Sequence, residues 1–376
     1  MKRIFMLLAL FVMSFPTMAQ DGPEVNVSDQ VSLDGTVKIS SIYSEGPGFI
    51  VIHQDDGSGS FGAVIGSREV NAGWSFNVAV PIDTSMATST LYAMLHVDDN
   101  EMGVYEFGAV DGADGPVVVD GAPVSPPFNV DLMLAWDQFV DDTVTIANVT
   151  VQVDGFVVIH ADNEGSFGAV IGSAPVTAGQ NSDVVVEIDA DGATDVLWPM
   201  LHVDTGEAGV YEFGTVEGAD GPVAVNGTVA VAPIWTVPHM RVHDQIVSYG
   251  DGMDMMEDMA PTLTAYSVLA EVDGFIVVHS EADGGPGPVA GFAPVSAGIN
   301  TNVEVELDPE VVTPRLRPML HVDTGEAGEY EFGTVEGADG PVRVNDSVVT
   351  FGIDAAPALQ LSDQSVIEAM MGFGPH

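Results

Sequence analysis

Beyond residue 23 the chain is a succession of short runs of Val, Ile, Leu and Phe, each soon interrupted by Gly, Pro, Asp or Asn. No run carries an apolar period long enough for a helix. In VEVEL, Val303, Val305 and Leu307 alternate with Glu304 and Glu306, the period of a strand with one apolar and one wet face. The segments GVYEFG and GEYEFG are read the same way, because Val210 in one becomes Glu329 in the other. Glu329 and Glu331 are expected to face water, and Tyr330 and Phe332 the interior. Many short strands separated by turn signals predict an all-β fold of antiparallel β-sandwich, immunoglobulin-like type.

The pattern also repeats. Gly-Phe-[Ile/Val]-Val-[Ile/Val]-His occurs at 48–53, 155–160 and 274–279, and Met-Leu-His-Val-Asp at 94–98, 200–204 and 319–323. Tyr-Glu-Phe-Gly follows at 105–108, 211–214 and 330–333, then Gly-Ala-Asp-Gly-Pro-Val at 112–117, 218–223 and 337–342. Each unit opens on an Asp-Gln pair, at Asp29, Asp137 and Asp244, and each has the size of one domain. The third unit is longer by an insertion over 248–261. A fourth Asp-Gln pair, Asp363-Gln364, stands twelve residues before His376 and is read as the opening of a partial fourth unit.

The order Asp-Gln, GFVVIH, a Gly-rich turn with VIGSAPVTAG, an alternating strand, MLHVDTG, YEF and DGPV resembles a domain of uncharacterised function. That family occurs in exported and surface proteins of haloarchaea and some bacteria, often in tandem. The resemblance covers nearly all of residues 24–353. It departs in the insertion and in GGPGPVAGF (284–292), where the other copies have GSFGAVIGS. It implies an extracytoplasmic β-sandwich module and supplies no catalytic residues.

Residues 1–19 combine Lys2 and Arg3, an apolar run from Ile4 to Phe15, and Thr17-Met18-Ala19, which is the layout of a cleaved signal peptide. The run is too short for a membrane span, and no later stretch is long enough. The chain has 376 residues, no cysteine, and 8 basic against 56 acidic side chains. Loss of Lys2 and Arg3 leaves 6 basic residues and a formal charge of −50. Such a charge repels nucleic acid and favours cations as partners. Without disulfides, stability has to come from apolar cores.

Each unit carries two histidines: His53 with His96, His160 with His202, His279 with His321. Imidazoles suit zinc or copper, but the spacing is loose and does not decide whether the two meet. The competing reading is a strand-end histidine bonded to a neighbouring loop. Tyr92 is replaced by Trp198 and Arg317, which predicts a half-wet surface around the second histidine. In the following loops Asp98, Asp204 and Asp323 precede Glu101, Glu207 and Glu326 by three positions, offering hard oxygens to calcium. The full calcium-loop pattern is missing, and turns closed by Asp side chains use the same residues. The GADGPV segments, with Asp114, Asp220 and Asp339, read as tight turns.

The third unit adds His239, His243, Met253, Met255, Met256 and Met259, soft ligands for cuprous copper. Methionines in loops also serve as adaptable packing. His239 and His243, four apart on the opening strand, are expected on one face.

No cysteine nucleophile, nucleophile elbow, phosphate loop, dinucleotide fingerprint or HExxH helix is present, so a non-enzyme is expected. The expected layout is a signal peptide over 1–19 and sandwich repeats over 24–125, 129–232 and 237–353, joined around Ser125–Asn129 and Ala232–Val237. Residues 354–376 are a partial fourth repeat or a tail. The function expected is a secreted, periplasmic or cell-surface structural and interaction protein, with other proteins or a second copy of itself as partner by strand addition through residues 359–366. The alternative is an extracytoplasmic metal-binding protein, with calcium in the acidic loops or copper at 239–259.

Overall fold

The computed structural model describes residues 22–247 and 260–355. Residues 1–19, read above as a signal peptide, the methionines of the insertion and residues 359–366 lie outside them. The described chain is all-β, with two single-turn 3-10 helices at Thr84–Met86 and Ala190–Gly192. It forms two compact units: one holds the residues up to Asp29 with Thr36–Asp83 and Thr90–Asn129, the other Gln30–Gly35, Thr84–Ser89 and the chain from Val130 onward.

Each repeat folds as a two-sheet sandwich. In the first, Glu24–Asn26, Thr36–Ser44 and Gly73–Pro81 form one sheet. Phe61–Val70, Gly48–Asp55, Thr90–Val97 and the start of Pro127–Leu134 form the other. In the second, the end of Pro127–Leu134, Thr143–Val151 and Gly179–Glu187 face Phe167–Val176, Gly155–Asp162, Val196–Val203 and Ile234–Trp235. The third repeats the plan with His239–Arg241, Thr262–Ala270 and Gly298–Glu306 against Gly285–Val295, Gly274–Ala282, Arg315–Val322 and Ile353–Asp354. Relative to a constant-type immunoglobulin domain, the fourth main strand lies beside the third instead of the fifth. Among the described strands pairing is antiparallel apart from Gln30–Ser32, which runs parallel to Val130–Leu132.

Period-two alternation places the core. Val144, Ile146 and Val186 from one sheet meet Val157, Ile159, Leu197 and Leu201 from the other. Leu263, Ala265 and Val305 meet Ile276, Val278, Leu316 and Leu320 in the third repeat. The VEVEL strand follows expectation, with Val305 and Leu307 buried, Val303 half-buried and both glutamates exposed.

The Asp-Gln pairs close each sandwich. Asp29 Oδ1 accepts the Asn129 amide at 2.7 Å, Asp137 Oδ1 that of Trp235 at 3.0 Å, and Asp244 Oδ1 that of Asp354 at 2.8 Å. The glutamine amides act as an extra rung: Gln138 bonds both backbone groups of Thr145, and Gln245 both of Thr264. Opening and closing segments, about a hundred positions apart, are thereby tied together.

At the start of each central strand, Gly48, Gly155 and Gly274 lie so close to the carbonyls of His96, His202 and His321 that a Cβ would overlap the oxygen. Only glycine allows that approach. Gly274→Ala is expected to destabilise the third repeat by about 1–3 kcal/mol through this overlap, read as lost hydrogen-exchange protection over Gly274–Ala282. Protection equal to wild type would show that the two strands separate there without strain.

Candidate functional site

The site lies on the outer face of each four-stranded sheet. Alternation sends Val157 and Ile159 into the core and Phe156, Val158 and His160 outward, opposite His202, Met200 and Trp198 respectively. The first and third repeats present Phe49, Val51 and His53 opposite His96, Met94 and Tyr92, and Phe275, Val277 and His279 opposite His321, Met319 and Arg317. The first histidine of each pair sits at a register shift, between Ile52 and His53, Ile159 and His160, or Val278 and His279. Such a bulge re-aims the side chain.

The histidines meet in every repeat, with ring centroids 6.0, 6.1 and 6.1 Å apart. All six are buried: His53, His160 and His279 are 5–7% exposed and His96, His202 and His321 0–2%. An outer sheet face becomes this dry because the loop after the second histidine folds back over it. Tyr105 and Phe107 stand 5.6 and 4.9 Å from His96, Tyr211 and Phe213 5.6 and 4.9 Å from His202, and Tyr330 and Phe332 5.6 and 5.0 Å from His321.

One aspartate per repeat holds that loop. Asp220 is fully buried and takes φ 49°, a left-handed conformation that short polar side chains tolerate. Its carboxylate accepts the amides of Thr205 at 2.8 Å and Glu212 at 2.6 Å. Its own amide donates to Thr205 Oγ1 at 2.9 Å, and its carbonyl accepts from His202 Nδ1 at 2.6 Å. Asp339 repeats all four bonds with Thr324, Glu331 and His321. Asp114 does so with Asp99 in place of the threonine. Reading GADGPV as a tight turn alone missed this buried hub; the available signal was an aspartate at the same place in all three copies.

The carboxylates of the acidic loops also turn inward to backbone amides. Asp98, Asp204 and Asp323 accept from Gly103, Gly209 and Gly328 at 2.7–2.8 Å. Glu106, Glu212 and Glu331 accept the amides of Glu101, Glu207 and Glu326 at 2.7–3.0 Å. The side chains of Glu101, Glu207 and Glu326 are exposed. Among the described residues no group of three or more His, Cys, Asp or Glu is gathered to hold a metal ion.

Two sequence expectations are corrected. The YEFG segments are not strands but irregular covers: Phe332 is 44% exposed rather than interior, and Glu331 folds into its own loop rather than out to water. His239 and His243 do not share a strand face, because the strand ends at Arg241. His239 stacks on Trp235 at 3.9 Å and reaches Asp137 Oδ2 at 3.1 Å. His243 lies 6.1 Å from the ring of Tyr266. The half-wet position next to the histidine pair has a common role: Tyr92, Trp198 and Arg317 donate to Asp55, Asp162 and Glu281 at 2.9, 2.9 and 3.1 Å.

Electrostatics follow burial. Loss of solvent pushes His96, His202 and His321 below the usual imidazole value of 6.5, against the pull of the Asp carbonyl and with a smaller push from the partner histidine. Burial, with the nearby aspartate adding to it, drives Tyr105, Tyr211 and Tyr330 up to about 12. Outside the site, burial raises Asp137, but hydrogen bonds from His239 and Arg241, the Arg241 charge and the Trp235 amide outweigh it and hold the carboxyl at about 2.

A family model described as Domain of unknown function (DUF7282) matches residues 23–131, 133–234 and 253–355. No curated protein matches the chain.

Two measurements test the site. Asp220→Ala strands two backbone donors that the carboxylate now satisfies, at an expected cost of about 3 kcal/mol to the second repeat; hydrogen exchange over Val196–Val203 reads it, and wild-type protection there would refute the hub. Unfolded imidazoles take up a proton near 6.5 and these folded ones only below it, so their contribution to stability is complete above 6.5 and is lost as pH falls through the lowered values. NMR titration is expected to give His96, His202 and His321 midpoints below 6.5. Midpoints at or above 6.5 would contradict the burial argument.

Proposed function

The chain belongs to the family described as Domain of unknown function (DUF7282), in three tandem copies, and we propose that it is an extracytoplasmic, non-catalytic structural and interaction protein. One observation carries this reading. The acidic side chains that recur in every repeat, namely the opening Asp, the buried Asp and the loop Asp and Glu, bond backbone groups of their own repeat, as do Gln138 and Gln245. Their recurrence is therefore accounted for by a module that must fold the same way each time.

The proposed location outside the cytoplasm is supported by the signal-peptide layout of residues 1–19 and by the acidic composition. Among the described residues no helix is long and apolar enough to cross a membrane. The junction of the second and third repeats supports a structural role. Arg241 bonds both carboxylate oxygens of Asp137 and lies 5.1 Å from the centre of the Trp235 ring, on which His239 is stacked. Two-point bonding and stacking fix direction as well as distance, so this joint is stiff.

Fractionation of producing cells tests location: the mature chain, beginning at Gln20, is expected in the envelope or medium and in large envelope assemblies. A full-length chain confined to the cytosol would sink the proposal. The carboxylate-rich surface also predicts that the unfolding temperature rises with added sodium chloride, because screening relieves self-repulsion; calorimetry across a salt series checks it.

A further inference from the structure

We propose that each repeat holds a buried site for a soft monovalent cation, Cu(I), bound by the Nε2 atoms of its histidine pair (His53 and His96, His160 and His202, His279 and His321) with the thioether of Met94, Met200 or Met319 beside them. This goes beyond the structural role and does not rest on it.

Backbone carbonyls fix where the ring protons sit. Every Nδ1 is within hydrogen-bond distance of a backbone carbonyl: Gly62, Gly168 and Gly287 for the first histidines at 3.0, 2.9 and 2.8 Å, and Asp114, Asp220 and Asp339 for the second at 2.7, 2.6 and 2.6 Å. A carbonyl only accepts, so Nδ1 carries the proton and Nε2 of a neutral ring keeps its lone pair. This is the orientation in which metal-bound imidazoles are held, with the far nitrogen anchored to backbone or carboxylate oxygen. The second ring of each pair is only 0–2% exposed, so solvent does not compete for its free nitrogen.

Those lone pairs have no donor to meet. The Nε2 atoms of His53, His96, His160, His279 and His321 are buried without a hydrogen-bond partner. The sixth, on His202, faces Met200 Sδ at 3.3 Å. Two atoms that can both only accept then face each other, and a cation between them turns a repulsive contact into an attractive one. The methionines are 2–7% exposed and each is two residues before the second histidine, on the same strand face.

The choice of ion follows from charge and softness. Phe61, Phe107 and Tyr105 surround the first pair, and Phe167, Phe213 and Tyr211 the second. A divalent ion would have to be stabilised in that apolar pocket, and structural zinc takes four ligands. Two imidazoles and a thioether instead match the soft, low-coordinate demand of a cuprous ion. The outer wall is one aromatic layer, since Phe107, Phe213 and Phe332 are 43–44% exposed, which leaves a short route for entry.

The test uses the whole mature chain. It is titrated anaerobically with Cu(I) against a chromogenic Cu(I) chelator, and with redox-inert Ag(I) while the imidazole nitrogen resonances are followed by NMR. One ion per repeat is expected, with Nε2 of the six paired histidines shifting and Nδ1 remaining protonated. His202→Phe and His321→Phe should each remove one ion. Joint substitution of Met253, Met255, Met256 and Met259 by leucine should leave the histidine shifts unchanged. Unmoved Nε2 resonances in the unsubstituted chain at saturating Ag(I) overturn the proposal without requiring any variant to fold. Displacement of Cu(I) by excess Zn(II) overturns the assignment to a soft monovalent ion.

Discussion

A carboxylate with no exposed surface organises each repeat. Asp114, Asp220 and Asp339 would be strongly destabilising as isolated buried charges, yet each receives two backbone N–H groups at hydrogen-bond distance. The left-handed backbone at these positions turns the carbonyl toward the histidine while the side chain reaches back to the loop. One residue thus sets the path of the loop, the tautomer of the histidine and the dryness of the sheet face beneath. Asparagine could tolerate the backbone but would replace one acceptor oxygen with a donor, facing an amide that also donates.

The copies vary the chemistry around this centre while keeping the geometry. Asp99 takes the place of Thr205 and Thr324 because either side chain can accept the amide of the buried Asp. A phenol, an indole and a guanidinium all donate to the carboxylate two residues beyond the first histidine. Positions that need a donor or an acceptor accept several residue types. Gly155 and its counterparts, where backbone approaches backbone, accept only one.

The same logic separates His239 from the paired histidines. His239 is held by an aspartate and a tryptophan ring at a joint between repeats, so stacking and a hydrogen bond account for it. The paired histidines are each anchored at one nitrogen inside an aromatic enclosure; at the other, five have no partner and His202 faces only the Met200 thioether. Structural packing explains the anchored nitrogen and leaves the other without an account, which is why the pairs, rather than the acidic loops, carry the chemical inference.

Much of the fold was legible along the chain. Alternation in VEVEL, the four recurring signatures and the turn residues between them are local features, and they determined the all-β class, the repeat and the core-facing positions. The YEFG segments misled because their alternating residues pack on a sheet they never join; the period of two recorded a one-sided contact, and a cover and a strand share that pattern. The histidine pairs could not be read from spacing, since the two members lie on neighbouring strands more than forty positions apart. Strand order and register brought them together, and only the bulge, the folded-back loop and the buried aspartate made an outer sheet face dry. By itself the sequence determined what recurs and which residues alternate, because those depend on neighbours along the chain. Tertiary structure decided which side chains meet and whether water reaches them, because those depend on contacts between segments that the chain places far apart.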